Sequence, residues 1–394
     1  MKKNSNKHKI AEVLLWGLGI VYAISCFYLY YMQSIQPLDY DNRYFQSDLP
    51  YHISMIVDDG WYYSFTAYVY QLLYAMAGGG TVWIALFLTF VTVGSIWLTG
   101  KLLQVLLDRD RMDALCLGGA ILLNMVMPFF WKVAGQYRYV SYQSGNIWHN
   151  STYQCMKLLG IAALLSYFRI EKNYRSKIDI KMWLLFAVVL VITTGVKPSF
   201  LTVFAPAMAL KLLWDLFHKV SFKQIFLFGC AVLPACGVVL WQNMVLFGED
   251  TGQGFALKPW FTFSLHADRP KLAVLCSIAF PLVILVFSLK ELYKDKNYFF
   301  AWLMTGIGFL EAVLLAETGS RANDGNFVWG YSFAIFYLFV ISFVKWLQLW
   351  QKGRQNTISK ILFTVGMLVL LYQTYCGVYF YLRLLGGETY FMVL

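Results

Sequence analysis

Gly80-Thr-Val-Trp-Ile-Ala-Leu-Phe-Leu-Thr-Phe-Val-Thr-Val-Gly-Ser-Ile-Trp-Leu-Thr-Gly100 carries no charged side chain and stops at Lys101. Crossing ~30 Å of hydrocarbon at ~1.5 Å per residue takes about 20 apolar residues, so the stretch reads as a transmembrane helix. Working outward, similar stretches recur at 11–32, 113–131, 151–168, 182–196, 198–217, 224–247, 271–289, 298–316, 329–347 and 361–383. Eleven spans are therefore expected. Composition agrees, with 59% hydrophobic and 13% charged residues against about 25% charged in soluble domains. The fold class is read as all-α, a polytopic integral membrane protein with one transmembrane domain over 1–394. The first apolar run follows a basic start, as in a signal peptide, but it continues through Phe27 to Met32 and is read as a retained span.

The net charge of +11 does not mark a nucleic-acid partner, because the basic residues sit in every second short loop instead of on one surface. Counting Lys and Arg assigns 22 of the 32 to the N-terminus and the loops near 101–112, 169–181, 211–223, 290–296 and 345–360. By the positive-inside rule the N-terminus is cytoplasmic and the C-terminus extracytoplasmic. The seven cysteines form no CxxC pair, so neither a zinc site nor a disulfide framework is indicated.

The outer segments carry polar residues that plain connectors do not need. The first, 33–79, holds Asp39, Asp41, Asp48, His52, Asp58 and Asp59, and its second part, Trp61 to Met76, suits an amphipathic helix lying in the interface. Within Gln46-Ser-Asp-Leu-Pro-Tyr-His52, a helix would put Asp48 and His52 on one face, with Pro50 in the first turn and Ser47 or Asp48 as cap. An Asp beside a His can act as general base and orienter; a cap plus an interfacial His is the plainer reading. The pair also offers two ligands to a divalent metal, too few to specify one. Asp58-Asp59-Gly60 reads equally well as a turn.

Ser144-Gly-Asn-Ile-Trp-His-Asn-Ser-Thr152 lies at the outer mouth of the fourth expected span. There Trp148 offers a stacking face, and His149 and Asn150 offer hydrogen-bonding groups, although Trp also anchors ordinary interfaces. Lys197 precedes Pro198 at a helix start, where a cation and free N–H groups together suit an anion. Between two later spans, Glu317-Thr-Gly-Ser-Arg-Ala-Asn-Asp-Gly-Asn326 concentrates Glu317, Arg321, Asn323, Asp324 and Asn326. Arg is the usual bidentate phosphate ligand, and the alternative is a structured loop closed by its own salt bridge. Glu311, inside the preceding span, is read as pairing with Arg321 or Lys157.

No P-loop, dinucleotide fingerprint, HExxH or GxSxG occurs, and the inner loops are too short for a nucleotide-binding domain. A donor used on the outer side would then arrive through the membrane, as a lipid-linked substrate.

With these residues in view, the chain resembles the GT-C superfamily of membrane glycosyltransferases. The shared features are an acid in a long first outer loop (Asp48, alternatively Asp58 or Asp59), an interfacial helix after it, about eleven spans, and basic residues on later outer loops (Lys197, Arg321). It differs in that Asp48 has no adjacent acidic partner and no C-terminal soluble domain is expected. The resemblance implies a multi-pass protein of the cell membrane that transfers a sugar from a polyprenyl-phosphate donor to a glycan or lipid acceptor. It assigns Asp48 and His52 to catalysis. Trp148, His149, Asn150, Lys197, Glu317, Arg321, Asn323 and Asn326 are assigned to substrate binding. A transporter or flippase of lipid-linked glycans, a polysaccharide polymerase and a scaffold subunit are the competing expectations.

Overall fold

Asp113, Asn150, Asp179, Asp295 and Asn356 each stand one residue before a helix and accept a backbone N–H of its first turn through a side-chain oxygen. Such caps satisfy donors that the helix leaves open. They start five of the sixteen α-helices in the computed structural model, which describes residues 2–38, 44–58, 60, 62–246, 254–353 and 356–394. In chain order the helices are α1 (Lys2–Ser34), α2 (Leu49–Val57), α3 (Phe65–Met76), α4 (Val82–Leu106), α5 (Ala114–Leu123), α6 (Ser151–Glu171), α7 (Ile180–Val196) and α8 (Ser199–Phe217). They continue as α9 (Phe222–Gly229), α10 (Leu233–Leu246), α11 (Phe261–Ser264), α12 (Pro270–Ser277), α13 (Ala279–Leu292), α14 (Lys296–Leu314), α15 (Val328–Gly353) and α16 (Thr357–Leu385). Two short strands, β1 (Gly254–Leu257) and β2 (Leu315–Thr318), pair antiparallel with Gly254 opposite Thr318, a small addition to an otherwise helical fold.

Among the described residues, seven helices are long and apolar enough to cross a membrane. They are α1 from Ile10, α4, α8, the run Phe222–Leu246 through α9 and α10, α14, α15 and α16. An eighth follows if α12 and α13, bent by 73°, form one span. The chain is a helical, multi-pass membrane protein. Each of the eleven expected stretches contains helix, but α5 and α7 are short and α6 is absent from the seven, so seven or eight spans stand against the eleven expected. The expected span 113–131 needs correction. Its helix ends at Leu123, and Pro128, which has no N–H, keeps a helical ladder from resuming through the rest of the stretch.

The chain from Asn124 to Asn150 is irregular yet mostly buried. Irregular backbone at membrane depth is tolerated only inside protein, with its polar groups satisfied. Here side chains do that work. Asn146 Nδ2 donates to the carbonyls of Leu123 and Val126. Gln373 of α16 donates to the carbonyls of Met127 and Cys276 and accepts the N–H of Phe280, so one amide ties the irregular segment to the α12–α13 bend. Gly377, one turn on, must be glycine, since a Cβ would overlap the carbonyl oxygen of Met125. Gln373→Leu is expected to lower stability by about 1–3 kcal/mol for each buried backbone group it orphans. Denaturant titration in micelles reads this directly, and an unchanged midpoint would refute the role given to Gln373.

Helix α15 is the central pillar, 83% buried along its apolar window. At one end Lys345 pairs with Glu291 and Asp295 at 3.5 and 3.2 Å, and Lys211 of α8 pairs with Glu171 and Asp215. At the other end α15 begins against the start of α8. There Gly330 allows contact, because a Cβ would come within 2.4 Å of the Ser199 carbonyl oxygen.

Candidate functional site

The site is built on the first turn of α6. Asn150 caps that helix with its side-chain oxygen, which accepts from Tyr153 N at 2.8 Å and from Thr152 Oγ1 at 2.9 Å. Its amide nitrogen is left to donate, and it donates to Asp48 Oδ2 at 2.5 Å. The backbone of Asp48 donates to the His149 carbonyl at 3.0 Å, and His52 Nδ1 lies 3.1 Å from Ser151 Oγ. Thus α2 rides on the entry of α6. Asp48 occupies the cap position of α2 without capping it; Ser47 Oγ accepts the Leu49 N–H instead. The expected orienting pair is therefore rearranged. Asn150 orients the carboxylate, and His52 turns to Ser151.

Burial raises the Asp48 carboxyl to about 6, against the lowering pull of Asn150 and of Lys197. Burial, reinforced by Lys197, drives both His52 and His149 down to about 3, so both are neutral near pH 7. His52 adds no positive charge beside Asp48.

Lys197 follows the last residue of α7 and precedes Pro198, the cap residue of α8. Ser64 Oγ holds the Val196 carbonyl, and Gln242 Nε2 bridges the carbonyls of Gly195 and Tyr63. These bonds anchor the start of α3 and the end of α7 together. The Lys197 ammonium donates to Thr152 Oγ1 at 3.0 Å and sits 4.8 Å from the Trp329 ring centroid. Among the described residues no carboxylate lies within salt-bridge distance of it. Its pKa falls to about 8 through burial, with Asp48 opposing the fall and Arg321 adding to it. The starts of α6, α8 and α15 meet at this ammonium, and each brings the positive end of a helix dipole.

The turn after β2 closes the cluster. Arg321 Nε lies 3.1 Å from Asp324 Oδ2 and 3.9 Å from Glu317 Oε2. Asn326 donates to Glu317 at 2.6 Å and accepts from the Trp329 indole at 2.9 Å. Burial raises the Glu317 carboxyl, while Arg321 and Asn326 lower it. Arg321 thus arrives already countered by two acids, which leaves Lys197 as the stronger candidate for an incoming anion. Asn323 is exposed and outside this network.

Four segments distant in sequence converge here. Trp148 does not join them: it is 2% exposed, its indole donates to Tyr22 Oη at 3.0 Å, and it packs on Tyr381. With no free face, it is a core residue and not the expected stacking platform. His149 is buried too, stacked on Tyr390 at 4.2 Å. Asp58 accepts from Ser54 at the exposed end of α2, whereas Asp48 is bonded to Asn150. Asp39, Asp41 and Asp59 lie outside the described residues. Glu311 accepts from Thr202, and Lys157 donates to Asn146, so neither makes the pairing expected of it. Among the described residues no group of three or more His, Cys, Asp or Glu is placed to hold a metal ion, and Asp48 and His52 hold different partners on α6. Trp329 and Thr152 were not singled out from sequence. Trp329 had a usable signal, since it follows the polar turn directly at the start of α15.

A scan against protein-family models finds no match, and a search of curated proteins finds none either.

Proposed function

We propose that this chain is a glycosyltransferase of the cell membrane that moves a sugar from a polyprenyl-phosphate donor to a cell-surface glycan or lipid acceptor. In this reading the site faces the extracytoplasmic side and the N-terminus is cytoplasmic. One observation carries it: a carboxylate oriented by Asn150 is joined through Asn150 and Thr152 to an ammonium that has no carboxylate within salt-bridge distance among the described residues, where three helix starts meet. Such a place suits a phosphate beside a base.

The acceptor hydroxyl attacks the anomeric carbon of the donor sugar. The bond from that carbon to the phosphate oxygen breaks, and the oxygen leaves with the electron pair. Asp48 takes the hydroxyl proton, Asn150 fixes the carboxylate, and Lys197 with the helix starts stabilises the charge on the leaving phosphate. One carboxylate suffices because phosphate is already a good leaving group, and a direct displacement inverts the anomeric centre. Arg321, held by Glu317 and Asp324, shapes the wall beside Trp329.

Glu311 favours a second reading. A carboxylate bonded to Thr202 between α8 and α14 is the kind of intramembrane group that transporters use, which keeps a flippase or a polymerase partner as the competitor. Purified protein in nanodiscs, given radiolabelled polyprenyl-phosphate sugars and glycan or lipid acceptors, separates the two. Transfer supports the enzyme, and movement of intact donor across the bilayer without transfer supports the transporter.

The pH dependence is set by two groups. Asp48 must be unprotonated to act as base, so kcat/KM should rise as pH climbs through about 6. Lys197 must stay protonated, so it should fall again as pH passes about 8. A bell-shaped profile is expected, and Lys197→Arg should move only the alkaline limb upward. A profile flat across this range would remove both assignments.

A further inference from the structure

The geometry points to a binding track for an extended saccharide chain, leading away from Asp48 across the same end of the helix bundle. It rests on the reading of the site given above, and it assigns the acceptor to the glycan class.

Aromatic rings follow one another from the site outward. Trp329, which carries Lys197 on its face, lies 6.2 Å from the His149 ring, and His149 stacks on Tyr390 at 4.2 Å. Tyr390 lies 4.7 Å from Phe391, and Phe391 lies 5.5 Å from His266 and 6.1 Å from Tyr137. Trp329 and His149, next to the polar cluster, are buried. Tyr390, Phe391, His266 and Tyr137 are half-buried, each with part of its surface open.

Four separate chain segments build this row: the irregular 124–150 chain, the loop at His266, the start of α15 and the residues after α16. Arg138 N donates to the Met392 carbonyl and Leu394 N to the Gln136 carbonyl, which bind the residues after α16 to the 136–138 segment. Ser141 Oγ donates to the His266 carbonyl at 2.5 Å and accepts from Tyr137 N, and Arg269 N donates to the Ala134 carbonyl. The row is therefore fixed by loops crossing the end of the bundle, unlike interfacial anchors on the perimeter of a membrane helix. Exposed Gln136, Asp268 and Arg269 lie beside it in sequence.

The composition of the row selects its occupant. A lipid chain is matched by aliphatic walls, whereas this row is aromatic, and the cation tied to it, Arg138, lies over the Phe130 and Tyr379 rings. Pyranose rings have an apolar C–H face that lies on an aromatic ring, and hydroxyls around the rim that need polar partners. The half-buried rings with their polar neighbours offer both, and a chain lying along them would run toward the Asp48 cluster, to which the buried His149 and Trp329 rings connect them.

The test is binding of maltooligosaccharides and chitooligosaccharides of increasing length to the purified full chain, by calorimetry. Affinity should increase with length. Tyr390→Ala and Phe391→Ala should each weaken the longer oligosaccharides roughly tenfold, the equivalent of about 1.4 kcal/mol. Tyr390→Phe, which keeps the ring, should bind like the wild type, and unfolding midpoints of all variants check that the segment after α16 stays docked. Affinity independent of length, or Ala variants that bind like the wild type, would overturn the track. Lys197-dependent binding of polyprenyl phosphate with active transfer, but no length effect, would reject the track and leave the transferase. Length-dependent binding without transfer under any donor would reject the transferase and leave the track.

Discussion

Asp48→Asn is expected to lower kcat by roughly 100- to 10,000-fold, the contribution of a positioned general base. The substitution is nearly isosteric, and its amide oxygen can still accept from Asn150, so the junction between α2 and α6 should survive. What is lost is the ability to take a proton. Donor affinity should change little, since the phosphate is assigned to Lys197, and a fall in kcat at near-constant KM is the signature sought. Asp48 and Lys197 also titrate against each other. The Asp48 charge raises the pKa of Lys197, so in the variant any residual activity should lose its alkaline limb to lower pH. Radiometric transfer in nanodiscs measures all three quantities. Full activity in Asp48→Asn would end the assignment, and Asp58 would not inherit it, because its carboxylate is engaged with Ser54 at the exposed end of α2.

Lys197→Met has the second large effect. Met has similar length and no charge, so packing over Trp329 should persist while the phosphate loses its only cation without a carboxylate partner among the described residues. A loss of roughly 100- to 1,000-fold in kcat is expected, as for removal of one preorganised donor to a developing charge, and donor affinity should fall with it. Lys197 also lowers the Asp48 pKa, so its removal should shift the acid limb of the profile upward. That shift distinguishes an electrostatic role from a packing role, which would leave the limb in place. Arg321→Ala should act differently. It frees two carboxylates near the site, whose negative charge should repel the donor phosphate and raise KM more than it lowers kcat.

The membrane class was legible from one apolar stretch, because hydrocarbon thickness converts directly into sequence length. The end of α5 was less so, since nothing local reveals that Asn146 and Gln373 will satisfy an irregular chain there. At the site, the chemistry of each segment was visible but not their meeting. Asp48 and Asn150 are 102 residues apart and Lys197 and Thr152 are 45 apart, and no periodicity links them. Trp148 misled because neighbours at a helix entry face different ways: its indole turns inward to Tyr22 while Asn150 turns to Asp48. The ring row escaped notice because its members come from four separate stretches of chain.

The amide of Gln373 also constrains the order of biosynthesis. It follows Met127 by 246 residues and Phe280 by 93, so the groups it satisfies are made long before it. Until α16 docks, the irregular chain after α5 and the break between α12 and α13 present bare polar backbone, which lipid does not accommodate. The nascent bundle must hold these segments away from the acyl chains, in water or against insertion machinery, until the last helix arrives. The irregular chain after α5 and the break between α12 and α13 thus gain these partners only after residue 373 has been made.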